Sequence, residues 1–173
     1  YTCVTQNDNS TLYVWETLYM WNPSDGTAYP LLADGDYQWN EEETAITVKL
    51  KEAAHWSDGT PVTAADVEAT WEAHVNYQSN QGVAYSPYIA DIVAVDDYTV
   101  EIQANTDNLN RMKVLEYLPR VFVMQKAYLD SLAEANGGDA TAMKNEPMWD
   151  APHTGPYSPR EQNDQKWVIE RDD

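Results

Sequence analysis

The sequence predicts an α+β domain in which a mainly antiparallel sheet carries packed helices. Three observations point there. Apolar–polar alternation comes in pairs of short segments, 36–40 with 45–51 and 92–95 with 98–102, each pair joined by an acidic or polar turn. Between the pairs, apolar residues recur at helical spacing. Gly and Pro punctuate the segment ends. Hairpins interleaved with helices place the helices beside an antiparallel sheet, unlike strict strand–helix alternation.

Taking the elements in order, Leu12, Trp15, Leu18 and Tyr19 stand at helical spacing behind Asn9 and Ser10, so residues 9–20 are expected to be a helix. Asn22-Pro23-Ser24-Asp25-Gly26 ends it in a turn. In the second segment of the first pair, Ile46, Val48 and Leu50 alternate with Thr47, Lys49 and Lys51, giving one buried and one wet face. Glu41-Glu42-Glu43 reads as the solvated hairpin tip between the two. Ser57-Asp58-Gly59-Thr60-Pro61 is strong turn chemistry, with Gly59 available for positive φ. Thr63 followed by Asp66 predicts a near capping box opening a helix at Ala64, whose inner side carries Val67, Trp71 and His74 or Val75.

After a polar loop, the pair 92–95 and 98–102 turns around Asp96-Asp97. Leu109, Met112, Leu115 (or Val114) and Leu118 mark a helix that stops before Pro119. Residues 121–124 are an apolar run of open type. A helix through Tyr128, Leu129 and Leu132 closes at Gly137-Gly138. Residues 139–150 read as weakly structured, and 166–170 as a strand with no following partner, so the ends look cut and the chain is expected to be a fragment.

Composition bounds the function. Of 173 residues, 43% are hydrophobic, enough for a real core. No run of about 18 apolar residues predicts a membrane-spanning helix, and no signal-peptide pattern opens the chain. The formal charge of -19, from 29 acidic against 10 basic residues, opposes nucleic acid and anionic membranes. It fits a well-solvated exported protein or a salt- or acid-tolerant host. Cys3 has no partner for a disulfide, and Tyr1-Thr2 lacks the small and apolar residues of a lipidation site. Seven Trp and twelve Tyr against one Phe suit half-wet surfaces, whether sugar and peptide clefts or the fold's own core with one end of each ring in water.

Catalytic and metal signatures are missing. His55, His74 and His153 lie at a strand end, on a helix and in a Pro-flanked loop, and no Gly-x-Ser-x-Gly elbow occurs. No His-Glu-x-x-His, cysteine pair or calcium-loop spacing is present, and the glycines are too scattered for a phosphate loop. Acid pairs for glycoside hydrolysis are compatible with so many carboxylates. The expectation is a protein without enzymatic activity, metal or cofactor.

One block is far more specific than the rest. Val48-Lys49-Leu50-Lys51, then Trp56-Ser57-Asp58-Gly59-Thr60-Pro61, Thr63-Ala64, Asp66 and Trp71 resemble the most recognisable segment of the family 5 extracellular solute-binding proteins of ABC importers. Pro30-Leu31-Leu32-Ala33 with Tyr37-Gln38-Trp39, and Thr154-Gly155-Pro156-Tyr157 with Val168-Ile169-Glu170-Arg171, resemble further stretches in the family's order. The resemblance implies a two-lobed periplasmic-binding-protein-like fold, of which this chain is the N-terminal part. Residues 1–15 and 153–173 would be pieces of lobe I, and 16–152 the family's extra domain.

For sites, the resemblance implies a ligand contact at Tyr88, in Ser86-Pro87-Tyr88, with Tyr85 as the alternative because a few residues are inserted before the match. It implies cleft-lining residues at Cys3, Val4, Thr5 and Gln6. The acidic residue that peptide binders can carry there is absent. The segment from Met112 to Leu132 resembles oligosaccharide-binding members, so peptide and oligosaccharide both stay open. Trp56, Asp58, Gly59, Asp66 and Trp71 would be architecture.

The function so implied is capture of an oligopeptide or oligosaccharide for delivery to the membrane subunits of an ABC importer, without chemistry on the ligand. The protein would be an extracellular or periplasmic monomer, tethered as a lipoprotein in its full-length form. The competing readings are a secreted glycan-active hydrolase using an acidic pair, and a stand-alone protein-interaction domain.

Overall fold

The computed structural model describes residues 13–145, 148, 150–163 and 166–172. Its centre is a four-stranded antiparallel sheet in the order β3–β4–β6–β5, formed by β3 (Gln38–Trp39), β4 (Ala45–Lys49), β5 (Ile89–Asp96) and β6 (Thr99–Ala104). Register aligns the apolar positions into rows. Ile46 and Ile92 flank Ile102, and Val48 and Ala94 flank Val100. Ile46, Val48, Val100, Ile102 and Ile92 are all buried, each contributing about 1.5–3 kcal/mol by leaving water. The opposite face carries Thr47, Lys49, Glu101 and Gln103, so the sheet is covered on one side, as the alternation requires.

Two further hairpins flank the sheet: β1 (Tyr19–Asn22) with β2 (Thr27–Pro30), and β7 (Tyr157–Asn163) with β8 (Lys166–Arg171). The helices are α1 (Ala64–Asn76), α2 (Asn80–Tyr85), α3 (Arg111–Tyr117), α4 (Lys126–Ala135) and α5 (Ala140–Asn145). None of the described helices is long and apolar enough to cross a membrane.

Helix α1 is the pivot because it is buried on two sides. Val67 and Trp71 enter the main core beside the sheet, with Tyr85, Val114, Tyr117 and Leu118. Ala69 and Ala73 face a second core built from Val14, Trp15, Met124, Leu129, Met148 and Ala151, with Ile169 packed against it. Small residues on that side let α4 approach closely. His74 is buried, whereas Val75 is 38% exposed, so of the two candidates the histidine is the inward one.

Four expectations are corrected. Among the described part of 9–20, residues 13–18 form turns, a bend and a bridge from Thr17 to Phe122, and Tyr19 begins β1. The helical spacing was real burial with a different cause. Val14 and Trp15 enter the second core and Leu18 and Tyr19 the main one, as an irregular segment crosses the seam between them. The polar loop after α1 contains α2, capped by Ser79, whose hydroxyl accepts the N–H of Gly82 at 3.1 Å. The stretch 139–150 contains α5, started by the Asp139 carboxylate on the Ala142 N–H at 2.8 Å, and its Met143 is fully buried. Strand β8 pairs with the preceding β7, which is bent by a register shift between Pro159 and Glu161, in keeping with the expectation of no following partner. In the helix before Pro119, the inward residues are Val114, Tyr117 and Leu118, while Met112 is 75% exposed.

Candidate functional site

The corner from residue 55 to 71 is organised by one carboxylate. Asp66 is 5% exposed. Its Oδ2 accepts the backbone N–H of Thr63 at 2.8 Å, the acidic half of a capping box, and the indole N–H of Trp56 at 3.2 Å. Its Oδ1 accepts the backbone N–H of Lys126 at 2.7 Å, so the same group also holds the first turn of α4. Trp56 and Trp71 are both buried, and Trp71 meets Tyr117 edge-to-face at 5.8 Å.

The turn between those residues is tied from outside. Gly59 sits at φ +86°, which only glycine adopts freely, and its N–H closes on the Trp56 carbonyl at 2.8 Å. Asp58 accepts from the backbone and hydroxyl of Thr60 and from the Gln125 amide at 2.8 Å. Those hydrogen bonds, Thr60 first and Gln125 next, hold its carboxyl below the usual carboxylate range. Ser57 donates its N–H to the His153 carbonyl at 2.7 Å, and its hydroxyl accepts the His153 N–H at 3.2 Å. The corner therefore joins the sheet, α4 and the segment returning to β7.

The fold also assembles a serine, a histidine and an aspartate that sequence spacing did not reveal. His153 Nε2 lies 3.1 Å from Ser158 Oγ and 3.0 Å from Asp172 Oδ2, while Ser158 donates to Asp172 Oδ1 at 2.5 Å. Nucleophile activation needs the carboxylate on one imidazole nitrogen and the serine on the other, so that the ring can take the serine proton. Here both partners share Nε2 and the serine proton points at the aspartate. This geometry fastens β7 to β8 and the preceding loop; it does not activate a nucleophile. The Asp172 carboxyl is lowered, first by Ser158 and then by His153.

His74 is held neutral by its burial in α1. Burial pushes its pKa down to about 3, and Nδ1 lies 2.6 Å from the Ser79 hydroxyl. His55 is exposed, its Nδ1 2.7 Å from the Ala53 carbonyl. Among the described residues, no group of three or more His, Cys, Asp and Glu side chains could hold a metal ion. An open cleft of about 430 Å³ lies between Asp34, Lys49, Glu52, Asp96 and Tyr98, at the end of β4 and the β5–β6 turn. Neither of the candidate tyrosines, Tyr85 and Tyr88, lines it.

The two candidate tyrosines separate sharply. Tyr85 is 4% exposed, packs edge-to-face on Tyr117 at 5.6 Å and belongs to the main core. Burial raises its phenol to about 12. Tyr88, just before β5, is half-buried; its carbonyl accepts the Asn105 N–H at 2.8 Å and its own N–H donates to Tyr85 at 2.9 Å. The backbone at Tyr88 is therefore fixed while the residue stays partly exposed. Cys3, Val4, Thr5 and Gln6 lie outside the described residues.

The sequence model of the family described as "Bacterial extracellular solute-binding proteins, family 5 Middle" matches residues 27–173. The chain belongs to that family. Solved family 5-like folds include the periplasmic oligopeptide-binding protein of Thermotoga maritima bound to mannohexaose, at 22% identity and TM-score 0.73, covering 92% of this chain and 28% of that one. DppA of Helicobacter pylori with the peptide STSA gives 19% identity and TM-score 0.72, covering 99% and 36%. AppA of Bacillus subtilis with a nonapeptide gives 16% and 0.75, covering 99% and 33%. The chain thus spans about a third of the length of these family 5 structures. No curated protein matches it.

Proposed function

We propose that this chain is the part of a solute-binding protein that frames its cleft, in a protein that captures an oligopeptide or oligosaccharide and hands it to an ABC importer. The observation that carries the reading is the family match over residues 27–173, on a fold shared at TM-scores of 0.72 to 0.75 with proteins solved with peptides or a hexasaccharide. In this reading residues 16–152 are the extra domain, and 1–15 and 153–173 belong to lobe I. The backbone supports grouping the two ends, since the Gly155 and Tyr157 N–H groups donate to the Val14 and Tyr13 carbonyls at 2.8 and 3.1 Å, and the second core, which also holds Ala69, Ala73, Met124 and Leu129, is the seam with the extra domain. Tyr88 and Cys3 to Gln6 contribute ligand contacts, and Tyr85 supports Tyr88 from the core.

Capture works by closure of two lobes around the solute and leaves the ligand unchanged. The protein acts outside the membrane, tethered as a lipoprotein, and as a monomer. Peptide and oligosaccharide are separated by thermal-shift measurements on the full-length protein. A ligand that binds only the native state raises the melting temperature in proportion to the logarithm of its concentration. Oligopeptides or manno-oligosaccharides are expected to produce that rise and to be recovered intact. Absence of any rise with both classes, or turnover of either, overturns the proposal.

A further inference from the structure

The long edge strand of the central sheet is plugged. In antiparallel pairing every second N–H of an edge strand points away from its partner, and a row of such groups is a template for another strand. Along β5 those outward positions are Ile92 and Ala94. The Ile92 N–H donates to the carboxylate of Asp91 at 2.9 Å. The Ala94 N–H donates at 3.3 Å to the carboxylate of Glu68, which reaches around the sheet edge from α1. Register shifts bracket the same stretch, between Ile89 and Asp91 and between Ala94 and Asp96. At the far edge, β3 is only two residues long. The sheet's two edges are thus managed by different means, one by shortness and one by side chains.

The plugged strand would otherwise pair well. It runs eight residues, Ile-Ala-Asp-Ile-Val-Ala-Val-Asp, with β-branched residues at 89, 92, 93 and 95, and Val95 is 60% exposed. The partner with matching length and pattern is the same strand of a second copy, since antiparallel pairing of identical edges closes a two-fold dimer.

We propose that Glu68 and Asp91 hold the β5 edge closed against backbone pairing with a second copy of this chain. Each carboxylate satisfies a donor that an incoming strand would need, and each sets a negative charge where the other copy presents its own.

Sedimentation of the protein and of E68A/D91A, with folding checked by cooperative thermal unfolding, tests this. The double variant is expected to self-associate roughly tenfold or more strongly than the parent, the equivalent of one or two recovered hydrogen bonds. Adding A94P removes an outward N–H that β6 does not use and is expected to reverse the association. E68Q/D91N keeps an acceptor oxygen at both positions and is expected to associate less than the alanine pair. If E68A/D91A does not fold, E68A and D91A are compared singly by the same criterion. In the parent, the Ile92 and Ala94 amides are expected to exchange slowly with deuterium. Fast exchange at both amides, unchanged association of the folded variants, or association that A94P leaves intact each overturn the proposal.

Discussion

The indole N–H of Trp56 donates to the carboxylate of Asp66, ten residues later, at 3.2 Å in a buried site. That contact fastens the turn to the helix it precedes. Because the other oxygen of Asp66 binds the Lys126 N–H, the same group fixes where α4 begins.

Replacing Asp66 therefore disturbs two helix starts at once. D66A leaves the N–H groups of Thr63, Trp56 and Lys126 without their acceptor and is expected to cost about 2–4 kcal/mol. D66N keeps the oxygens' place but introduces a donor facing donors, and should fall between D66A and the parent. Urea unfolding at neutral pH measures both.

Gly155 is needed for space. A Cβ there would lie 2.4 Å from the Tyr13 carbonyl oxygen and 2.7 Å from its carbon, where the Gly155 N–H already bonds to Val14 at 2.8 Å. Backbone cannot yield as a flexible side chain can, so G155A should destabilise by about 1–3 kcal/mol. The same denaturation series reads it.

Acid should destabilise the protein through His74. Its folded pKa is lowered from 6.5 to about 3 by burial, so the unfolded chain binds the proton first. The stability is fully present above about 6.5 and is lost as pH falls from there towards 3, at up to about 1.4 kcal/mol per unit. H74Q carries no titrating group, and its stability should fall less steeply over that window. The difference between the two pH profiles isolates His74 from the general relief of negative charge on acidification.

Salt should stabilise. With 29 acidic and 10 basic residues, repulsion dominates the long-range field, and the described Lys and Arg ion pairs are between exposed groups of small individual worth. Raising sodium chloride from about 0.1 M to 1 M shortens the screening length from about 10 Å to 3 Å. The melting temperature is expected to rise by about 2–4 °C for each kcal/mol of repulsion relieved. A flat or falling curve by differential scanning calorimetry contradicts this.

Tyr85 and Tyr88 should respond in opposite ways. In the full-length protein, Y88A is expected to weaken ligand binding by roughly tenfold with little change in unfolding. Y85A removes a core ring and should cost about 3–5 kcal/mol of stability. Calorimetric titration beside thermal unfolding separates them. Equal affinity of Y88A and the parent removes Tyr88 from the site.

The sequence by itself determined the paired alternating strands, the Gly59 turn, the acidic cap at Asp66 and the helices closing before Pro119 and at Gly137, because each follows from local chemistry. It also determined the family through the block from Trp56 to Trp71. The irregular 13–18 segment, α2 and α5 were not legible. The first serves two cores at once, and the other two are six-residue helices stabilised by Ser79, Asp139 and buried Met143 more than by periodicity. Tertiary structure alone decided that Tyr85 is core and Tyr88 half-open, that His153, Ser158 and Asp172 meet in a fastening geometry, and that Glu68 reaches the edge of β5. Those outcomes depend on which separated segments touch, as His153 and Asp172 do across 19 positions and Glu68 and Ala94 across 26. Local pattern carries no record of such contacts, because the free energy that selects them is shared across the whole packed domain.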